Sequence, residues 1–239
     1  MNLFALTLGL GASLGLYRVS RQRSGQWLDA ALLVLLLSLI GARLGFAAER
    51  YEYFSSHLGE ILAFYKGGLS AGGAVVGWVL GLGLASALHR VPVLRMADWL
   101  YPLIPPLAIA GLMASWLAGS GYGPALPAGT WWGVPTPDET GLLSLRWPLQ
   151  PVAALALLFF YMLMEMLTPL PRPSGWLASL ASAWFASILL VVSLLRADPV
   201  PVWGQQQIHV DTLSSLIFLA FFLGLLVVLT FIARRKNRL

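Results

Sequence analysis

The residues of this chain best able to do chemistry stand at the edges of its apolar runs. Arg43 lies in Gly41-Ala42-Arg43-Leu44-Gly45, near the end of one run, and Arg196 opens Arg196-Ala197-Asp198-Pro199, directly after another. An arginine at that depth is costly unless it reaches headgroup level along its own stem or meets a partner. Its planar fork of donors also suits a lipid phosphate. Both readings stay open for Arg43, while Arg196 pairs with Asp198 at the interface, worth little by itself, or again meets phosphate. Lys66-Gly67-Gly68-Leu69-Ser70-Ala71-Gly72-Gly73 is the most glycine-dense stretch and precedes a further apolar run. Glycines there let backbone N–H groups approach an anion at a helix start, or let two helices pack closely. Gln150, in Trp147-Pro148-Leu149-Gln150-Pro151, enters another run, where a buried amide needs partners. Arg43, Gly67, Gly68, Ser70, Gln150 and Arg196 are therefore the candidate lipid-binding residues, and no catalytic residue is assigned.

Other chemistries find no support. The chain has no cysteine, so disulfides, thiolate zinc sites and cysteine nucleophiles are excluded. His57, His89 and His209 fall in connections, and their spacing makes no metal cluster. There is no phosphate-binding Walker loop, no Gly-x-Ser-x-Gly elbow and no His-Glu-x-x-His. No metal and no cofactor is expected. Mid-membrane charges of the kind an ion pump needs are also missing. Glu165, near the inner end of the fifth run, is read as snorkelling, and a small transporter remains a lesser alternative.

The elements that must position these residues are membrane spans. Of 239 residues 58% are apolar and only 10% charged, against about 25% charged in a soluble domain. That surplus of apolar surface must face lipid. A span needs roughly 17 to 25 residues, and seven segments qualify: Leu3–Tyr17, Leu28–Phe46, Ala71–Leu88, Ala97–Leu117, Val152–Leu167, Trp176–Leu195 and Leu213–Ile232. Pro102, Pro105 and Pro106 predict a kink or late start in the fourth. The expected fold is all-α and polytopic, a single transmembrane domain over residues 1–239 with about seven helices.

Charge sets the orientation. With the N-terminus outside, the inner side holds Arg18, Arg21, Arg23, Arg90, Arg95, Arg172, Arg234, Arg235, Lys236 and Arg238, and the outer side Arg43, Arg50, Lys66, Arg146 and Arg196. Ten against five is the positive-inside pattern of an N-out/C-in protein. Because the basic residues sit at span ends, the net charge of +5 does not point to nucleic acid. The first run has no basic residue before it and three arginines after it, as in a retained helix rather than a cleaved signal. The outer connections are longer than the inner ones. The middle one, Ala118–Pro151, is rich in Gly, Pro and Trp, which places recognition or chemistry toward the outer leaflet.

Taken in order, these motifs resemble the bacterial prolipoprotein diacylglyceryl transferases over nearly the whole chain. Ile40–Phe46 is similar to the family's Gly-Ala-Arg-Leu-Gly-Tyr. Gly67-Gly68-Leu69-Ser70 with Gly72-Gly73 is similar to its Gly-Gly-Met-Ser-Phe-His-Gly-Gly, and Pro148-Leu149-Gln150 to its His-Pro-Thr-Gln. Pro105–Gly123, ending in Gly121-Tyr122-Gly123, falls where the family carries its signature. The resemblance implies transfer of a diacylglyceryl group from phosphatidylglycerol to the cysteine of a prolipoprotein signal peptide, at the outer face of the bacterial inner membrane. Membrane phospholipid and the signal peptide are the partners it implies.

The polar positions depart from that pattern. Alignment on the final aromatic–Gly puts Leu112 at the family's Arg, Ser115 at its first Asn and Ser120 at its Glu. The His before Gly72-Gly73 has no counterpart, the second essential Arg falls near Leu189, its following Glu near Ser193, and the first-span Tyr at Phe4. Removing one preorganised donor typically costs about 10²–10³ in rate. Arg43, Arg196 and Arg146 are the cations left to rebuild a phosphate site. Two functions follow: a divergent transferase, or a non-catalytic relative that binds lipid or lipoprotein.

Overall fold

The computed structural model describes residues 3–23, 27–63, 68–138, 140–167, 172–198, 202–203 and 208–236. Nine α-helices occur among them: α1 (Leu3–Arg23), α2 (Leu28–Glu49), α3 (Tyr51–Ser56), α4 (Ala71–His89), α5 (Val93–Leu100), α6 (Ile104–Leu117), α7 (Leu149–Leu167), α8 (Trp176–Leu195) and α9 (Val210–Lys236). Seven spans are long and apolar enough to cross a bilayer, with α5 and α6 together forming the fourth. The break there lies where the prolines predict it. Tyr101–Leu103 tightens to a 3-10 turn at Pro102, and Pro105 and Pro106 sit in the first turn of α6, where no N–H is needed.

Two short antiparallel hairpins add to the helical frame. β1 (Val134–Pro137) pairs with β2 (Leu143–Arg146), and β3 (Val202–Trp203) with β4 (Ile208–His209). Both lie in connections at the same end of the bundle, the end that carries Arg43. Helix contacts run α2 to α4, α8 to α9, α1 to α6 and α6 to α7. Met96, Leu100, Leu103, Leu157 and Met164 fill the centre, whereas only 6% of the α9 span is buried, so that helix presents itself to lipid.

The closest helix pair is α2–α4. A methyl group on Gly41 would stand 2.5 Å from the Gly73 carbonyl oxygen, and one on Gly45 2.7 Å from the Gly73 Cα. Gly73 and Gly77 meet the carbonyl oxygens of Gly41 and Leu37 still more tightly. With residues four apart on each helix, this is the small-xxx-small approach that brings backbones into contact. Ser38 Oγ donates to the Ala74 carbonyl at 2.9 Å, and the Ser70 N–H to the Ala42 carbonyl at 2.9 Å. Gly73, at the end of the glycine-rich stretch, thus serves helix packing.

The opposite end is held by charge and caps. Glu165 is half-exposed and also closes an ion pair with Arg18 and accepts from the Tyr101 hydroxyl. From α5, Asp98 accepts the N–H groups of Gly175 (2.6 Å) and Ala178 (3.0 Å), which caps α8 from a neighbouring helix. Trp27 stacks on Trp99 at 4.5 Å and meets His89 edge-on.

The backbone contact is directly testable. Gly73→Leu has only main chain to displace and should cost more than the about 1–3 kcal/mol of ordinary overpacking. The expected result is collapse of the monodisperse peak after heating in detergent, followed by size-exclusion chromatography. Gly83→Leu, where nothing lies within 4 Å of the added Cβ, should leave the peak unchanged.

Candidate functional site

Arg43 sits on the fifth turn of α2, one residue after the Ala42 carbonyl that receives Ser70, and is only 2% exposed. Its Nε donates to the Ile61 carbonyl at 2.8 Å, Nη1 to that of Gly68 at 3.0 Å and Nη2 to that of Glu60 at 2.6 Å. The guanidinium also lies 5.6 Å from the Phe46 ring centroid and 5.4 Å from that of Phe54. It ties the 3-10 turn at Leu58–Leu62 and the approach to α4 onto α2. Neither sequence reading of Arg43, a headgroup-reaching side chain or a phosphate clamp, includes these main-chain partners. Gly68 takes φ +77° against the Phe46 ring, while Gly67 lies outside the described residues. Ser70 caps α4, accepting the Gly73 N–H at 3.2 Å and donating to the Glu49 carboxylate.

A second arginine organises the ends of four other elements. Arg196 grips Asp198 through Nε (2.6 Å) and Nη2 (2.5 Å), and reaches Asp211 at the start of α9 through Nη1 (2.5 Å). Asp198 in turn accepts the Gly121 N–H at 2.9 Å, and the Ala197 N–H donates to the Tyr122 carbonyl at 2.8 Å. Burial opposes the charge of Asp198, but the hydrogen bonds and attraction of Arg196 and the Gly121 N–H outweigh it and hold the carboxyl below its usual range. Burial likewise works against Arg196, and the two aspartates overcome it, raising its already high value.

Gln150 is 1% exposed, and its amide N–H₂ donates to the carbonyls of Ser120 and Gly121. Gly121 has φ +67°, and a side chain there would stand 2.5 Å from Gln150 Nε2. That explains why glycine holds this position. Arg146 on β2 lies over the Tyr122 ring at 4.1 Å and 3.6 Å from Asp138. Asp138 is held below its usual range, first by the Thr140 hydroxyl and then by N–H groups and Arg146.

Gln150 Oε1, Arg146 Nε, Ser144 Oγ and Thr212 Oγ1 are buried with no hydrogen-bond partner among the described residues. The indole N–H groups of Trp27, Trp116 and Trp184 are likewise buried and unpartnered among the described residues, Trp27 at the opposite end. The candidate site therefore rests on the shared network of Arg196, Asp198, Gly121 and Gln150, which holds an amide oxygen of a kind nearly always satisfied when buried. The arrangement brings Arg43, Gly68 and Ser70 together on α2 and α4, and Gln150 and Arg196 together through Gly121. Glu49, at the end of α2, and Asp211, at the start of α9, join the two groups: Glu49 accepts from Ser70, and Asp211 accepts from Arg196. Their place shows only when the ends of α2 and α9 are brought beside Arg196.

The substituted signature positions do different work. Leu112 is buried in the apolar core, Ser193 is buried with its hydroxyl on the Leu190 carbonyl, and Ser120 bonds the Ser115 carbonyl at the end of α6. Each arginine left for phosphate is already engaged: Arg43 by three carbonyls, Arg196 by two aspartates, Arg146 by Asp138 and Tyr122. Among the described residues, no group of three or more His, Asp or Glu could hold a metal ion.

Comparison with known proteins follows the same framework. A family model described as prolipoprotein diacylglyceryl transferase matches residues 2–228. The phosphatidylglycerol–prolipoprotein diacylglyceryl transferase of Bordetella avium is 27% identical over 232 residues, covering 94% of this chain and 86% of that protein. The enzyme of the same name from Dechloromonas aromatica is 27% identical over 80% of this chain and 75% of its own length. That of Nitrosomonas europaea is 31% identical over 72% of this chain and 63% of its own.

Two substitutions separate the roles of the arginines. Arg43→Lys keeps the charge but not the fork, so buried carbonyls lose donors at a cost of about 1–3 kcal/mol. The detergent-solubilised protein should melt several degrees lower, whereas a phosphate contact alone would leave the midpoint in place. Asp198 has a lowered pKa, so its contribution is whole above the ordinary aspartate value of about 4 and is lost as pH falls through the lowered one. Asp198→Asn should therefore lower the melting midpoint at neutral pH and flatten its further decline in acid.

Proposed function

The chain belongs to the prolipoprotein diacylglyceryl transferase family, and on that premise we propose that it transfers a diacylglyceryl group from a membrane phospholipid to a prolipoprotein cysteine. Phosphatidylglycerol is the donor named for its relatives. The observation that carries this reading is the family match along residues 2–228, coincident with a buried polar network at one end of the bundle. In the reaction the cysteine sulfur attacks a glycerol carbon of the donor. A C–S bond forms, the C–O bond to phosphate breaks, glycerol phosphate leaves, and the thiol proton passes to a base. The network supplies carboxylates for that proton at Glu49, Asp198 and Asp211, and donors for the leaving phosphate at Arg43, Arg146 and Arg196 once lipid displaces a present partner. Gly68, Ser70 and Gln150 shape the wall against which the donor lies. The N-out/C-in orientation belongs to this reading, because it puts the Arg43 end at the outer face of the inner membrane.

A second reading, binding of lipid or lipoprotein without transfer, is favoured by one observation. Leu112, Ser120 and Ser193 occupy positions where the family resemblance expects charge, and the three arginines nearby already have partners.

Transfer in oriented membrane vesicles decides among these. Right-side-out vesicles carrying the chain and labelled phosphatidylglycerol should lipidate an impermeant lipobox peptide added outside. Lipidation only in inside-out vesicles would overturn the orientation. No product in either, with a relative active under the same conditions, would overturn transfer and leave the binding reading.

A further inference from the structure

Beside the polar network, an open cleft of about 870 Å³ lies between the end of α2, α3 and the turn carrying Glu60. Its wall is unlike that of an anion site. Arg43 forms part of it, but its donors are turned onto main-chain carbonyls. Arg50 is the exposed cation, its guanidinium 4.7 Å above the Phe46 ring. Against these two arginines stand three carboxylates, Glu49, Glu52 and Glu60, so the lining is net negative. An anionic headgroup such as phosphatidylglycerol gains one arginine there and meets three like charges.

A ligand carrying both a phosphate and an ammonium fits the wall better. Arg50 suits the phosphate. Glu52, exposed and in no ion pair among the described residues, suits the ammonium, and the Tyr51 and Tyr53 rings beside it add cation–π attraction.

Depth and shape identify the source as a lipid. Glu49 is the last residue of its span, so the cleft opens at headgroup level. Tyr51 and Tyr53 are exposed there, as aromatic residues at membrane interfaces are. Below the cleft, Leu44, Leu36 and Leu32 are more than half exposed at intervals of eight and four residues along one stripe of α2. That stripe gives acyl chains a track leading away from the headgroup.

We propose that this cleft holds the headgroup of a zwitterionic, ammonium-bearing phospholipid of the ethanolamine type, with its acyl chains along the leucine stripe of α2. The proposal goes beyond the transferase reading and is separable from it, because its test is binding. A chain that holds this lipid yet transfers nothing fails only the transferase reading. One that transfers without this preference fails only the present proposal.

The test is native mass spectrometry of the full chain, released from detergent containing equal amounts of phosphatidylethanolamine and phosphatidylglycerol. Phosphatidylethanolamine should be retained about fivefold over phosphatidylglycerol, the ratio that one ammonium contact supports. Glu52→Gln, at an exposed position that leaves the fold intact, should bring the two lipids to parity. Arg50→Gln should lower retention of both. Equal or greater retention of phosphatidylglycerol would overturn the proposal, as would a preference unchanged by Glu52→Gln. If glycerophosphoethanolamine, which has no acyl chains, bound as tightly as the lipid, the cleft would be a site for a soluble headgroup and the lipid assignment would fall.

Discussion

The backbone contact between α2 and α4 is the constraint from which the rest of the Arg43 end follows. With no side chain at Gly41, Gly73 or Gly77, two main chains lie against each other. That proximity lets the Ser70 N–H reach the Ala42 carbonyl and the Ser70 hydroxyl reach Glu49. It also puts Gly68 within reach of Arg43, which then draws in the carbonyls of Glu60 and Ile61. In a membrane there is little hydrophobic drive between helices, so close packing and interhelical hydrogen bonds carry the association. Widening this pair by one methyl group would therefore loosen a capped helix, a buried arginine and the connection between them together.

The two arginines solve the same problem with different partners. A guanidinium near the bilayer edge must have its donors met. Arg43 turns donors onto main-chain oxygens, which carry only partial charge. Arg196 meets them with two aspartates, which cancel its charge and overshoot by one. Over a short distance this end sets two arginines against three carboxylates beside α3, and one arginine against two aspartates at the start of α9. Glu49 lies between the two and feels both Arg196 and Asp211.

Apolar length made the seven spans legible in the sequence, and the prolines marked the break between α5 and α6. The Arg196–Asp198 pair was legible because its partners are two residues apart. The environment of Arg43 was not, since its acceptors are carbonyls, which every residue possesses, on a turn that sequence periodicity does not place. Asp211 was hidden for a different reason. It lies fifteen residues after Arg196, on another helix, a separation that no sequence pattern bridges. Gly121 was visible as part of a motif, but its reason, a positive φ with Gln150 packed against it, needed the fold.

The core position at Leu112 bears on what the site has become. An arginine in that place would stand in the buried apolar cluster, one turn after Ala108, and would require buried counter-charges to remain. A leucine there contributes about 1.5–3 kcal/mol of burial instead. Ser120, just beyond the end of α6, has its hydroxyl met by the Ser115 carbonyl. The substitutions are thus mutually consistent: apolar packing in the middle of the bundle, with polar groups concentrated at the ends of the helices. Any headgroup chemistry this chain performs is thereby confined to the outermost turns, where Gln150 Oε1, Arg146 Nε and Thr212 Oγ1 have no partner among the described residues.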